Sequence, residues 1–109
     1  AYSLSAGGSI ISPKLDVWSI IPILSHNLSS RPFVISSEQP LTVNLINGPK
    51  NEASISADGQ KDISVPFGKS ITINKKKDKL KLIHPKSYNF FEACREKLGW
   101  SIGTDKNKK

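Results

Sequence analysis

The sequence has no methionine, a single cysteine and no apolar run long enough to span a bilayer, and its 9 acidic residues are outnumbered by 16 basic ones. Each scarcity excludes something. Cys94 cannot close an internal disulfide and has no partner at metal-ligand spacing, so a reducing compartment is expected and the expected location is cytoplasmic. A membrane helix needs about 18 apolar residues in a row, and a secretory leader needs a basic start followed by an apolar stretch. Neither occurs, and no membrane partner is expected.

What is present fits one small ordered domain. The chain has 109 residues, and short runs of Ile, Leu and Val are separated by Gly, Pro, Asn and Asp. The net charge of +7 is unevenly placed. Up to Asn74, five basic residues (Lys14, Arg31, Lys50, Lys61, Lys69) cancel five acidic ones (Asp16, Glu38, Glu52, Asp58, Asp62), so the whole excess lies in the last third. There, ten lysines and Arg95 face Asp78, Glu92, Glu96 and Asp105.

Periodicity points to a mainly β chain. SIIS (9–12), VWSIIPI (17–23) and FVIS (33–36) are short, β-branched runs of strand type. LTVNLI (41–46) places Leu41, Val43 and Leu45 on one face, and Asn47-Gly48-Pro49 ends the run. ASISADGQKDISV (53–65) has the form of a hairpin, because Asp58-Gly59 supplies the positive φ angles of a type I′ turn. After the Pro66–Lys69 turn, SITIN (70–74) and KLKLIH (79–84) are expected to pair across the loop from Lys75 to Asp78. Seven or eight short strands favour a sandwich or barrel-like sheet.

The two ends differ. Ala1 to Ala6 can form one or two helical turns, stopped at Gly7, with Gly8 letting the chain turn sharply. Near the other end, Tyr88, Phe91, Cys94 and Leu98 make an apolar stripe of helical period, with Ser87 as expected N-cap and Gly99 as the terminating residue. Trp100 is expected to fold back on the Cys94 turn, and 101–109 to form a frayed basic tail.

Candidate chemistry is sparse. Gly68-Lys69-Ser70 ends like a phosphate-binding loop, but position 63 is Ile and a strand follows, so it reads as a turn. His84 stands before Pro85 at an expected strand end, and His26 lies in the polar segment SHNLSSRP, where a buried, hydrogen-bonded structural role is expected. The Lys75 to Lys81 cluster has no interleaved aromatics to stack on bases and reads as a solvated hairpin tip; Cys94 reads as core. On the opening turn Tyr2 and Ser5 are i and i+3 and share a face. A phenol and a hydroxyl so placed can sandwich and hydrogen-bond a planar polar ring.

Four ordered blocks carry more than composition does. AYSLSAGG, LDVWSIIPILSHNLSSRPFVI, SADGQ and LKLIHPKSYNFFEACREKLGW together resemble the C-terminal portion of bacterial NAD kinases, over residues 1 to about 100. The resemblance implies transfer of phosphate from ATP, or polyphosphate, to the 2′-hydroxyl of the adenosine ribose of NAD, giving NADP, with a divalent metal such as Mg²⁺. It implies that Ala1, Tyr2, Ser3, Leu4 and Ser5 line the NAD pocket, with Ser5 toward the adenine and Tyr2 beside the adenosine, and that Gln60 also contacts the substrate. The family's Gly-Gly-Asp-Gly motif, with its general-base aspartate, and its Asn-Glu or Asn-Asp pair are not in the chain, so no catalytic or metal-binding residue is assigned here. The sequence therefore reads as a C-terminal fragment lacking its first half and inactive alone. Ser25 and Asn27 flank His26 where proline and threonine are more usual in the family.

The implied architecture is a mainly β, sandwich-like domain with a short N-terminal helix, its last strand and helix packing on an absent N-terminal α/β domain. The expected divisions are 1–78 for the NAD-binding part, 79–100 for the returning strand and helix, and 101–109 for the tail. A homo-oligomer is implied. Two other readings start from the residues alone: a basic β-domain binding nucleic acid through its lysine-rich third, and a non-catalytic interaction module. With the resemblance in hand, no nucleic-acid partner is expected.

Overall fold

The computed structural model describes residues 2–48 and 52–100. Ala1, the Pro49 end of the break after β3, and the tail 101–109 lie outside the described residues. The described elements, in chain order, are α1 (Tyr2–Ser5), β1 (Val17–Ile20), β2 (Phe33–Ser36), β3 (Leu41–Asn44), β4 (Glu52–Ala57), β5 (Lys61–Pro66), β6 (Ser70–Ile73) and α2 (Phe90–Leu98). The chain is mainly β with a short helix near each end, and it divides into two units, one running to Lys77 and one beginning at Asp78.

The strands form three antiparallel ribbons: β1 with β2, β3 with β6, and β4 with β5. Register gives each ribbon one apolar face, because successive side chains alternate. Trp18 stands opposite Ile35 and Ile20 opposite Phe33 in the first; Leu41 opposite Ile73 and Val43 opposite Ile71 in the second. In the third, Ala53–Val65 and Ile55–Ile63 pairs alternate with Ser54–Ser64 and Ser56–Asp62 on the polar face. Asp58 (φ 53°) and Gly59 (φ 67°) both take positive φ, as their sequence requires, and the Gln60 amide donates to the Ala57 carbonyl at 3.1 Å. Because Ala57 pairs with Lys61, Gln60 stands in the connection and not in the ladder.

Three expectations about strands change. The run 9–12 forms no strand: it is bounded by the Gly8 closure and by Pro13, and Ser12 opens a turn whose carbonyl accepts from the Leu15 amide at 3.0 Å. β1 stops at Ile20, before Pro22, which cannot donate to a ladder. β6 pairs with β3 and not with 79–84. Two apolar cross-strand pairs and the Ser70 hydroxyl donating to Asn44 Oδ1 at 2.7 Å favour that partner. The lysine cluster is accordingly no hairpin tip; Lys75 pairs with Asp16 at 2.9 Å, a surface contact of little energy.

The C-terminal helix starts later than expected. The Tyr88 amide donates to the Pro85 carbonyl, and the Tyr88 ring stacks on His84 with centroids 3.9 Å apart, so Tyr88 belongs to the preceding turn rather than to the stripe. Asn89, not Ser87, is the N-cap: its Oδ1 accepts from the amides of Phe91 (2.9 Å) and Glu92 (3.3 Å). Gly99 ends the helix in the left-handed region (φ 67°), and the Trp100 amide closes on the Arg95 carbonyl at 3.0 Å. Glu92 in the first turn and Arg95 and Lys97 in the last complement the helix dipole.

Among the described residues no apolar side chain is buried; Ser37, at 5% exposure, is the one buried residue. Phe91, Leu98 and Trp100 are exposed, Cys94 is half-buried with a free thiol, and Ile83 is 99% exposed. Two-stranded ribbons are marginal in water unless their apolar face is covered. The 109-residue chain alone is therefore expected to bind a hydrophobic dye and to melt without a cooperative transition; a sharp melt with no dye binding would show that it covers these faces itself.

Asn89→Ala removes both cap bonds and is expected to cost about 1 kcal/mol of helix stability, with Asn89→Asp retaining most of it. Amide exchange at Phe91 and Glu92 reads the difference.

Candidate functional site

The site is built on how α1 ends. The Ala6 amide donates to the Tyr2 carbonyl at 3.0 Å, the Gly7 amide to Leu4 at 3.1 Å and the Gly8 amide to Ser3 at 2.7 Å. The last two bonds are the paired closure of a Schellman motif. Gly7 carries the left-handed φ of 85° that this closure needs. Gly8 is glycine for another reason: a Cβ there would strike Ser3 Oγ and come within 2.7 Å of the Ser3 carbonyl oxygen.

This turn leaves Tyr2 and Ser5 on one side, as their spacing requires, and both line an open cleft of about 290 Å³. Ala6 from the same turn, and Pro22, Ile23 and Leu24 after β1, complete the lining. Leu24 adopts φ 53°, a conformation that costs a side-chain-bearing residue roughly 1–2 kcal/mol. Among the described residues no charged side chain lines the cleft. The groups it offers a ligand are a phenol, a neutral hydroxyl and aliphatic carbons, a lining that suits a flat ring with a polar edge.

The expected site residues separate accordingly. Tyr2 and Ser5 line the cleft, whereas Ser3 and Leu4 lend their carbonyls to the helix closure. Ala1 lies outside the described residues, and Gln60 stands exposed on the β4–β5 connection and does not line the cleft. Pro22, Ile23 and Leu24 were not among the expected site residues, because IPIL continues the apolar pattern of β1. Pro22 inside that run is the signal that it leaves the strand.

His26 is exposed rather than buried, and the hydrogen bonds of its loop are made by its neighbours Ser25 and Asn27. Gly68 lies in a turn (φ 86°) with β6 directly after it, so Gly68-Lys69-Ser70 is not a phosphate loop. Among the described residues no three His, Cys, Asp or Glu side chains converge as a metal site. The divalent metal implied by resemblance has no fitting ligand set there. No helix of the described residues is long and apolar enough to cross a membrane.

The geometry defines a mainly β chain with an open cleft beside a first helical turn that a Gly-Gly pair closes. Residues 1–85 match the family described as the ATP-NAD kinase C-terminal domain, and the chain belongs to that family. Among curated relatives, an NAD kinase of Marinobacter nauticus is 47% identical over 103 residues, covering 93% of this chain and 34% of its own length. One of Pseudomonas fluorescens is 45% identical over 100 residues (92% and 34%), and one of Hahella chejuensis 42% over 105 residues (96% and 36%). The chain thus spans about a third of the length of these relatives.

The strain at Leu24 is directly testable. Leu24→Gly is expected to be more stable than Leu24→Ala by about 1 kcal/mol, since both lose the side chain and only glycine relieves the left-handed backbone. Denaturation midpoints of the two variants in the full-length protein measure it.

Proposed function

We propose that the chain is the part of an NAD kinase that receives the adenosine portion of NAD, and that the whole enzyme transfers phosphate from ATP to the 2′-hydroxyl of that adenosine ribose, giving NADP. The observation that carries this reading is the coincidence of the family match with the cleft: AYSLSAGG falls within residues 1–85, and Tyr2 and Ser5 from it line the opening. The Tyr2 ring and the aliphatic wall of Pro22 to Leu24 bracket the adenine, and the Ser5 hydroxyl bonds its polar edge. Ala1, Ser3 and Leu4 belong to the same pocket by resemblance, and Gln60 contributes from its exposed turn. The lack of a charged lining suits the base and sugar, leaving the pyrophosphate outside the cleft.

The chemical step belongs to residues beyond this chain. An aspartate of the family's Gly-Gly-Asp-Gly motif takes the proton of the ribose hydroxyl, and this chain's share is to hold the acceptor in place for in-line attack. The 109 residues alone form no NADP. The enzyme works in the cytoplasm as a homo-oligomer.

In the full-length enzyme, Ser5→Ala is expected to raise the KM for NAD about 2- to 12-fold, the loss of one neutral hydrogen bond, with the KM for ATP unchanged. An unchanged KM for NAD removes Ser5 from the site. NADP formation by the isolated chain would contradict the assignment of chemistry to residues outside it.

A further inference from the structure

The cleft wall formed by Pro22, Ile23 and Leu24 runs straight into a segment that hydrogen-bonds mainly to itself. Asn27 is its centre. Its Oδ1 accepts from the Ser29 amide at 3.0 Å and from the Ser29 hydroxyl at 2.7 Å. Its amide donates to Ser25 Oγ at 3.2 Å, and its carbonyl accepts from the Ser30 amide at 3.1 Å and the Ser25 hydroxyl at 3.3 Å. Arg31 completes the loop by donating from Nη1 to the Leu28 carbonyl at 2.6 Å. Apolar packing contributes little, since Leu24 is 92% and Leu28 90% exposed.

A leucine at φ 53° does not persist without something that fixes the backbone on both sides. On its N-terminal side Pro22 restricts the chain; on its C-terminal side the constraint begins at Ser25, one residue on, and is imposed by Asn27. We propose that Asn27 and Arg31 are positioning residues for the ligand in the cleft, acting through Leu24 by fixing the loop that brings Pro22, Ile23 and Leu24 to the cleft that Tyr2 also lines. This rests on the reading of the cleft as the adenosine pocket. The Asn27 amide oxygen collects two donors from Ser29, so the acceptor is the group that fixes the loop.

The test uses steady-state kinetics of the full-length enzyme with NAD and ATP varied separately. Asn27→Ala is expected to raise the KM for NAD about 3- to 10-fold with kcat and the KM for ATP unchanged, and Asn27→Asp, which keeps the acceptor, to stay within about twofold of wild type. Arg31→Ala is expected to act in the same direction as Asn27→Ala. A fall in melting temperature or active fraction without any change in the KM for NAD would overturn the proposal, leaving the loop a structural device only. Failure of the underlying reading looks different, because Ser5→Ala would then also leave the KM for NAD unchanged. In that event amide exchange decides the positioning claim: Leu24 and Ser25 should exchange at least tenfold faster in Asn27→Ala than in Asn27→Asp, and equal rates would overturn it.

Discussion

Closure of the first helical turn at Gly7 and Gly8 is the constraint on which the candidate site depends. Two adjacent glycines serve two requirements: positive φ at the first, and close approach to Ser3 at the second. The closure spends the carbonyls of Ser3 and Leu4, ends the helix after a single turn, and sends the chain toward β1. Tyr2 and Ser5 are left unengaged by it and face the cleft. A Cβ at Gly8 would collide with Ser3 and force the turn to reopen, and one at Gly7 would strain the left-handed backbone, so both substitutions work against the common face of the two side chains. The second wall depends on strain of the same kind, at Leu24, where no glycine relieves it.

The β elements obey a different logic. Each ribbon is amphipathic by register, and no residue of the apolar faces is more than half-buried among the described residues. The α2 stripe of Phe91, Cys94 and Leu98 is likewise capped well at both ends and little covered along its length. Local rules therefore fix the shape of each element, while the stabilising burial that would normally accompany them is missing from the described residues. A chain that matches about a third of the length of its relatives fits this division.

Local signals were legible wherever a residue's own backbone decided the outcome. Asp58-Gly59 and Gly99 adopt the positive φ that their positions demand, and Gly7 ends its helix. Pairing between distant segments was not legible in the same way. β3 and β6 meet across more than twenty residues, and their matched apolar pairs with the Ser70–Asn44 hydrogen bond distinguish that partner from the nearer segment 79–84. The N-cap moved from Ser87 to Asn89 because His84 and Pro85 hold Tyr88 in a turn, an interaction invisible to periodicity. Half of the cleft was legible through the spacing of Tyr2 and Ser5; the other half hid inside an apolar run that resembled a continuing strand.

The family match covers residues 1–85, and the cleft joins α1 to the segment after β1, so the proposed NAD surface is residues 2–8 with 22–31. Hydrogen exchange of the full-length protein, with and without NAD, tests that claim most directly. Protection on NAD binding is predicted to concentrate in 2–8 and 22–31, with a further contribution at the turn bearing Gln60. Exchange unchanged in both segments at saturating NAD, with protection appearing elsewhere, would contradict it.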